Sequence, residues 1–121
     1  MVYNIDDLEI YQRAEKLSDI IWLEVNAWND YFAKDTLGKQ LVKAADSIGA
    51  NIAEGFGRYH YKDNRNFCYY YSRGSLIETK GWLRKAKTRN LIAEQTVIDF
   101  LTELEQIHKM LNYYIKSIGT K

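Results

Sequence analysis

No proline occurs among the 121 residues of this chain, although average usage near 5% would supply about six. Proline interrupts helices and shapes turns and sheet edges, so a chain without any is suited to long helices joined by short links. The apolar residues agree with this. Ala14, Leu17, Ile21, Val25 and Trp28 are spaced 3, 4, 4 and 3, which is the helical period. Leu37, Leu41, Ala44 or Ala45, Ile48 and Ile52 form a second stripe of the same kind. Val97, Leu101, Leu104, His108, Leu111, Ile115 and Ile118 alternate gaps of 4 and 3, the seam pattern of helices packed on helices. No stretch reads as a strand.

These stripes and their flanking residues predict four helices, over about 6–29, 36–59, 63–88 and 96–118. Asn4 and the acids Asp6, Asp7 and Glu9 open the first, where negative charge complements the helix dipole. Asp35 and Asp63 are read as N-caps of the second and third, Asn90 as a left-handed stop after the third, and Gly119 as the close of the fourth. Tyr31 and Phe32, in an otherwise polar connection, are expected to cover one end of the core. Helices of this length with short links make an all-α, antiparallel up-down four-helix bundle, a single domain over 1–121. Gly38, Gly49, Gly55 and Gly57 fall in or near the second helix, where an interior glycine costs up to about 1 kcal/mol relative to alanine. Close approach of a neighbouring helix is the expected reason.

Several function classes fall away. Cys68 is the lone cysteine, so neither a disulfide framework nor a cysteine-rich zinc site can form within the chain. No apolar run approaches the 18–20 residues or so of a membrane span, and no signal-peptide pattern is present; a cytoplasmic protein with no membrane partner is expected. Gly55-Phe56-Gly57 has the start of a dinucleotide fingerprint, but His60 stands where its third glycine belongs and no strand precedes it. Glu105 and His108 form a single Glu-x-x-His pair; a di-iron bundle needs two such pairs and two further glutamates. His108 is therefore read as a core or interface histidine and Cys68 as a buried small residue. No catalytic residue, metal site or cofactor is expected.

Charge is segregated along the chain. Residues 1–35 sum to −5, residues 36–92 to +7 and residues 93–121 to −1, within an overall +1. On the third helix, Lys62, Arg65, Tyr69, Arg73, Lys80, Arg84 and Lys87 are spaced 3, 4, 4, 7, 4 and 3. At about 100° and 1.5 Å per residue they fill a band roughly 100° wide and about 37 Å long. Lys85 and Arg89 add charge at one end, and Arg58 lies just upstream. Such a stripe can follow a phosphate backbone, with Tyr69 available to stack on an unpaired base. It can equally be a solvated helix face, or in part the edge of the core, since Leu76 and Leu83 border it.

The third helix is apolar on a second side as well. Cys68, Ser72, Leu76, Thr79, Leu83 and Ala86 make one face, and Phe67, Tyr71 and Trp82 lie largely on another. One stripe suffices for a monomer, so the second suggests contact with another subunit.

The second helix reads Ser47-Ile48-Gly49-Ala50-Asn51-Ile52-Ala53-Glu54-Gly55-Phe56-Gly57-Arg58. This resembles the signature of a small bacterial family, the four-helix bundle or 23S rRNA-intervening-sequence proteins. Leu8 through Leu17, Gln40-Leu41 with Ala44-Ala45, and Gly74-Ser75-Leu76 with Glu78 are similar to the same family, so the likeness spans nearly the whole chain. One departure is Ala33 after Phe32, where family members usually carry a Phe-Pro pair. The resemblance implies an up-down four-helix bundle assembled as a homopentameric ring. It also implies kinship with an accessory protein of diversity-generating retroelements that binds nucleic acid and a reverse transcriptase. The signature residues Ser47, Asn51, Glu54, Gly55, Gly57, Gly74, Ser75 and Glu78 are expected to serve structure. Asn51 or Glu54, if buried, would need a partner, and a hydrogen bond to the neighbouring helix, for instance to Ser75, is expected.

Two functions follow as expectations. The first is a non-catalytic homo-oligomer that binds nucleic acid, RNA ahead of DNA, through the basic stripe. The second is an interaction scaffold whose basic third helix docks an acidic protein surface, such as the first helix of the next subunit.

Overall fold

Four long helices account for nearly all of residues 4–120, the part of the chain that this computed structural model describes. Helix α1 (Glu9–Asn26) follows a 3-10 turn, Ile5–Asp7, capped by Asn4, whose Oδ1 accepts from the Asp6 amide at 2.9 Å. Helix α2 covers 31–56 without interruption: a first turn, Tyr31–Ala33, a π turn, Lys34–Gly38, and a regular stretch, Lys39–Phe56. Helix α3 covers 61–88 in the same manner, with a π turn, Phe67–Ser72, between Tyr61–Asn66 and Arg73–Thr88. Helix α4 is Glu94–Ser117.

Links of four or five residues cannot run back along helices of this length, so neighbours are antiparallel. Helices α1 and α3 each pack on both α2 and α4, which places α1 and α3 on the diagonal of the bundle. The inward stripes read from the sequence meet along its axis. Ala14, Leu17, Ile21, Val25 and Trp28 are buried, as are Leu37, Leu41, Ala44, Ala45, Ile48 and Ile52, and the whole face from Cys68 to Ala86. Each fully buried leucine or isoleucine contributes about 1.5–3 kcal/mol relative to exposure. Among the described residues no helix is long and apolar enough to cross a membrane.

The structure corrects several local expectations. Helix α2 starts at Tyr31 because Asp30, in extended conformation, caps it: Asp30 Oδ1 accepts from the Ala33 amide at 3.0 Å. Asp35 sits inside the π turn and pairs with Lys39 instead. Tyr31 and Phe32 thus fall on the outer side of a first turn, exposed, and do not cover the core. Helix α3 starts at Tyr61, and Asp63 lies within its first turn. On α4, Val97, Leu104, Leu111 and Ile118 are buried, but the residues completing the seam are Phe100 and Ile107; Leu101, His108 and Ile115 are only half-buried. A helix gripped by neighbours on both sides buries a stripe wider than a two-helix seam, and here its centre is displaced by one position. Asn90 at φ 59° and Gly119 at φ 82° adopt the left-handed conformation that stops a helix.

Close approach explains the glycine at the α2–α3 contact. A Cβ on Gly55 would lie 2.8 Å from Asn64 Oδ1, 2.9 Å from Phe67 Cβ and 3.0 Å from the Asn64 carbonyl oxygen. Gly38 is tight against Val25 and Gly49 against Glu15. Gly57 has no such neighbour and serves as the C-cap of α2.

Candidate nucleic-acid interface

The π turn in α3 decides where its basic residues point. Asn64, Cys68, Ser72 and Leu76 all face inward at successive gaps of four, which a 3.6-residue helix cannot sustain. One extra residue per π turn restores the phase, and Ser72 Oγ then donates to the Ile48 carbonyl at 2.7 Å in the buried α2–α3 contact. The same extra residue turns the upstream side chains by about 100° relative to the downstream ones. Lys62 is carried out into solvent, and Arg65 is carried over the end of α4, where its Nη1 donates to the Ile118 carbonyl at 3.1 Å. The continuous band expected from constant periodicity is therefore bent.

The largest correction concerns Lys80. Its residue is 8% exposed, and its ammonium is paired with Glu105 of α4, so it is a seam residue and not a member of a free stripe. The Glu105 carboxyl is held below its ordinary range, first by the hydrogen bond from Lys80 and then by its charge. Next to this pair, His108 keeps its Nε2 buried with no hydrogen-bond partner among the described residues. Burial, together with the positive charges of Lys80 and Arg73, pushes the imidazole pKa down.

The remaining cations divide into two groups. At the α2–α3 corner, Arg58 pairs with Glu54 at 3.0 Å and stacks over the Phe67 ring at 4.7 Å, while the half-buried Arg73 lies over the Tyr69 ring at 5.6 Å. At the other end, Arg84, Lys85 and Arg89 are exposed and make no ion pair among the described residues, and Lys87 reaches Glu94 at 3.4 Å. Arg89 borders the shallow grooves beside Trp28 and Trp82.

Sequence reasoning picked out Tyr69, read Tyr71 as part of a second apolar face, and passed over Tyr59, Tyr61 and Tyr70. Tyr59, Tyr61, Tyr70 and Tyr71 are all exposed, Tyr59 at 93%. A signal existed: five tyrosines and four basic residues fall within 58–73, with Asp63 the sole acid.

The signature residues of α2 have simpler partners than expected. Asn51 Nδ2 donates to the Ser47 carbonyl at 2.8 Å, and Glu54 bonds Arg58, both within the α2 end of the chain. No bond to Ser75 forms, because Asn51 is only half-buried and Glu54 is exposed, so neither needs a partner across the interface. Ser75 instead accepts the Thr79 hydroxyl at its carbonyl, and Glu78 accepts from Trp82 Nε1 at 3.0 Å. Gly74 and Gly81 face open space on the outer side of α3. Cys68 is fully buried, and burial pushes its thiol up to about 12, which leaves it without thiolate chemistry near neutral pH.

The fold is that of an up-down four-helix bundle. Residues 6–113 match the family described as 23S rRNA-intervening sequence protein, and the chain belongs to that family. Among solved structures it is similar to a protein of unknown function from the S23 ribosomal protein family of Bacteroides thetaiotaomicron. The two superpose with a TM-score of 0.78 at 20% identity, covering 88% of this chain and 95% of that one. No curated protein matches the chain.

Proposed function

We propose that this protein is a non-catalytic homo-oligomer that binds nucleic acid through the outward cations of α3. One observation carries the reading: residues 58–89 hold nine basic residues against two acids, and Lys62, Arg84, Lys85 and Arg89 project from that helix without an ion-pair partner among the described residues. Cations left unneutralised along one helix suit a polyanion whose condensed counterions they can displace. RNA is put ahead of DNA. The test is anisotropy of a labelled RNA with the purified protein at about 50 and about 200 mM salt. Neutralising four phosphates predicts a loss of affinity of roughly 50- to 150-fold between them. No binding at the lower salt would overturn the reading.

The diagonal placement of α1 and α3 favours a second reading, a scaffold assembled from copies of the chain. The two outer faces are distinct surfaces, as a head-to-tail contact requires. That of α1 carries exposed Leu23 and Trp22 in the segment of net charge −5, and that of α3 carries exposed Ile77 beside Gly74 and Gly81 in the segment of +7. On this reading light scattering finds an oligomer that dissociates at high salt, and binding of RNA is weak.

A further inference from the structure

We infer that the ligand of this surface is single-stranded nucleic acid, held by stacking of its bases on the tyrosines of residues 59–71. The inference rests on the nucleic-acid reading and narrows its substrate class. The motivating fact is the exposure of Tyr59, Tyr61, Tyr69, Tyr70 and Tyr71 on one short segment. None of the five belongs to the buried core. Cys68 and Ser72 supply the inward contacts of the π turn, and the tyrosines between them project outward.

Each ring leaves about half or more of its surface in water, although Arg73 lies over Tyr69 and Phe67 meets Tyr71 at 5.1 Å, and the nearby charges decide what kind of plane would cover the rest. Arg58, Lys62, Arg65 and Arg73 are interleaved with the tyrosines along residues 58–73, where Asp63 is the sole acid, and Arg73 lies over the Tyr69 ring. An apolar protein surface would have to desolvate these guanidinium and ammonium groups. A single strand offers flat bases and a phosphate at every step, so both components of the patch find a partner.

A duplex does not. Its bases are stacked on one another in its interior, so it could satisfy the cations and would leave the rings exposed. The rings keep accessible area despite their neighbours: Tyr69 meets Tyr70 edge to face at 5.0 Å, and Tyr59 meets His60 in the same way at 4.9 Å. From Tyr61, the first residue of α3, to residue 73 the helical path is about 18 Å long. At about 3.4 Å per stacked nucleotide that accommodates some five bases, within the range of site sizes that single-strand binders use.

The experiment compares a labelled single strand of about 12 nucleotides with the duplex of the same length, at about 50 mM salt. The full chain, Tyr69→Leu/Tyr70→Leu and Tyr69→Phe/Tyr70→Phe are titrated, with helicity and oligomeric mass recorded for each. The expected result is preference for the single strand, a loss of roughly tenfold or more in the leucine variant, and recovery in the phenylalanine variant, which keeps the rings. Equal binding of strand and duplex, unchanged by the leucine substitutions, would overturn the inference and leave the nucleic-acid reading standing. Absence of binding to either probe would overturn both. A fall in oligomeric mass in the leucine variant, with affinity unchanged, would assign the tyrosines to contacts between copies and overturn the inference.

Discussion

Lys80 and Glu105 share one ion pair across the α3–α4 seam from opposite sides of the protein surface: the lysine side chain is 10% exposed and the glutamate 57%. The two partners are therefore unequal. Removing Glu105 strands a buried ammonium, whereas removing Lys80 leaves a carboxylate that water already solvates. Glu105→Ala is expected to lower the urea midpoint more than Lys80→Met does. The methionine fills the lysine's apolar path and needs no partner. Lys80→Glu, which sets two carboxylates together, should be the least stable of the three. Equal midpoints for Glu105→Ala and Lys80→Met would mean that the ammonium is not held in the seam.

The imidazole beside this pair makes stability depend on pH. Burial first, then Lys80 and Arg73, depress the His108 pKa below its ordinary value of 6.5 in the folded state. The unfolded chain therefore takes up this proton first, and stability falls as pH drops through the region of 6.5 and below. Glu105, whose pKa is also lowered in the fold, contributes stability that is lost only further into acid, below its ordinary value of 4.5. Urea melts from about pH 7.5 down to about pH 5.5 isolate the histidine. His108→Gln should flatten the curve there. A parent curve already flat over that interval would contradict the buried environment of Nε2.

How much of this was legible in the sequence follows from which interactions are periodic. The stripes of α1 and α2, and the inward face from Cys68 to Ala86, follow the helical repeat and were read directly. The π turns were not, because any constant angle per residue misses an extra residue inserted midway. The repeated gaps of four through Asn64, Cys68, Ser72 and Leu76 were the trace it left. Lys80 looked like a surface cation because its angle on α3 is ambiguous. Its burial depends on Glu105 reaching it from α4, and the vertical register of two helices is not written in either one alone. The reverse holds for Asn51 and Glu54, which looked buried on a glycine-rich helix and lie on its flank.

Glycines at the α2–α3 contact and on the outer face of α3 should respond oppositely to one methyl group. At Gly55 the new Cβ would press on Phe67 Cβ and the Asn64 carbonyl at 3.0 Å or less, so α3 must shift. Gly55→Ala is expected to cost about 1–3 kcal/mol, the usual range for overpacking. Gly74 and Gly81 have no neighbour within 4 Å of that position. Alanine there removes the backbone freedom of glycine in a helix and should stabilise by about 0.5–1 kcal/mol at each site. Chemical denaturation of the three single variants gives the comparison. A destabilised Gly74→Ala or Gly81→Ala would show that something packs on that face in solution.

Buried hydrogen bonding at the same contact gives a smaller and independent effect. Ser72 Oγ donates to the Ile48 carbonyl with both groups out of water. Ser72→Ala removes the donor while the carbonyl retains its bond within α2, so the expected loss is about 1 kcal/mol. Ser72→Val should cost more, because Ser72 is fully buried between α2 and α3 and the added methyl groups must displace its neighbours. If Ser72→Val proves the more stable of the two, the crossing is looser than the 2.7 Å bond implies.

The cations at the end of α3 give the sharpest test of how the surface binds. Arg84, Lys85 and Arg89 are exposed and make no ion pair among the described residues, so replacing all three by glutamine should leave helicity and the denaturation midpoint close to those of the parent. Lys80 is left intact in this variant, because altering it would confound binding with folding. If the three side chains neutralise phosphates, affinity falls and the slope of log K against log salt flattens by about one for each phosphate no longer neutralised, roughly three in all. The flattening separates this outcome from a general loss of structure, which lowers affinity through a smaller fraction of competent protein at every salt concentration. An unchanged slope would mean that this end of α3 does not touch the backbone, and that the cations around Tyr59–Tyr71 carry the electrostatic part of binding alone.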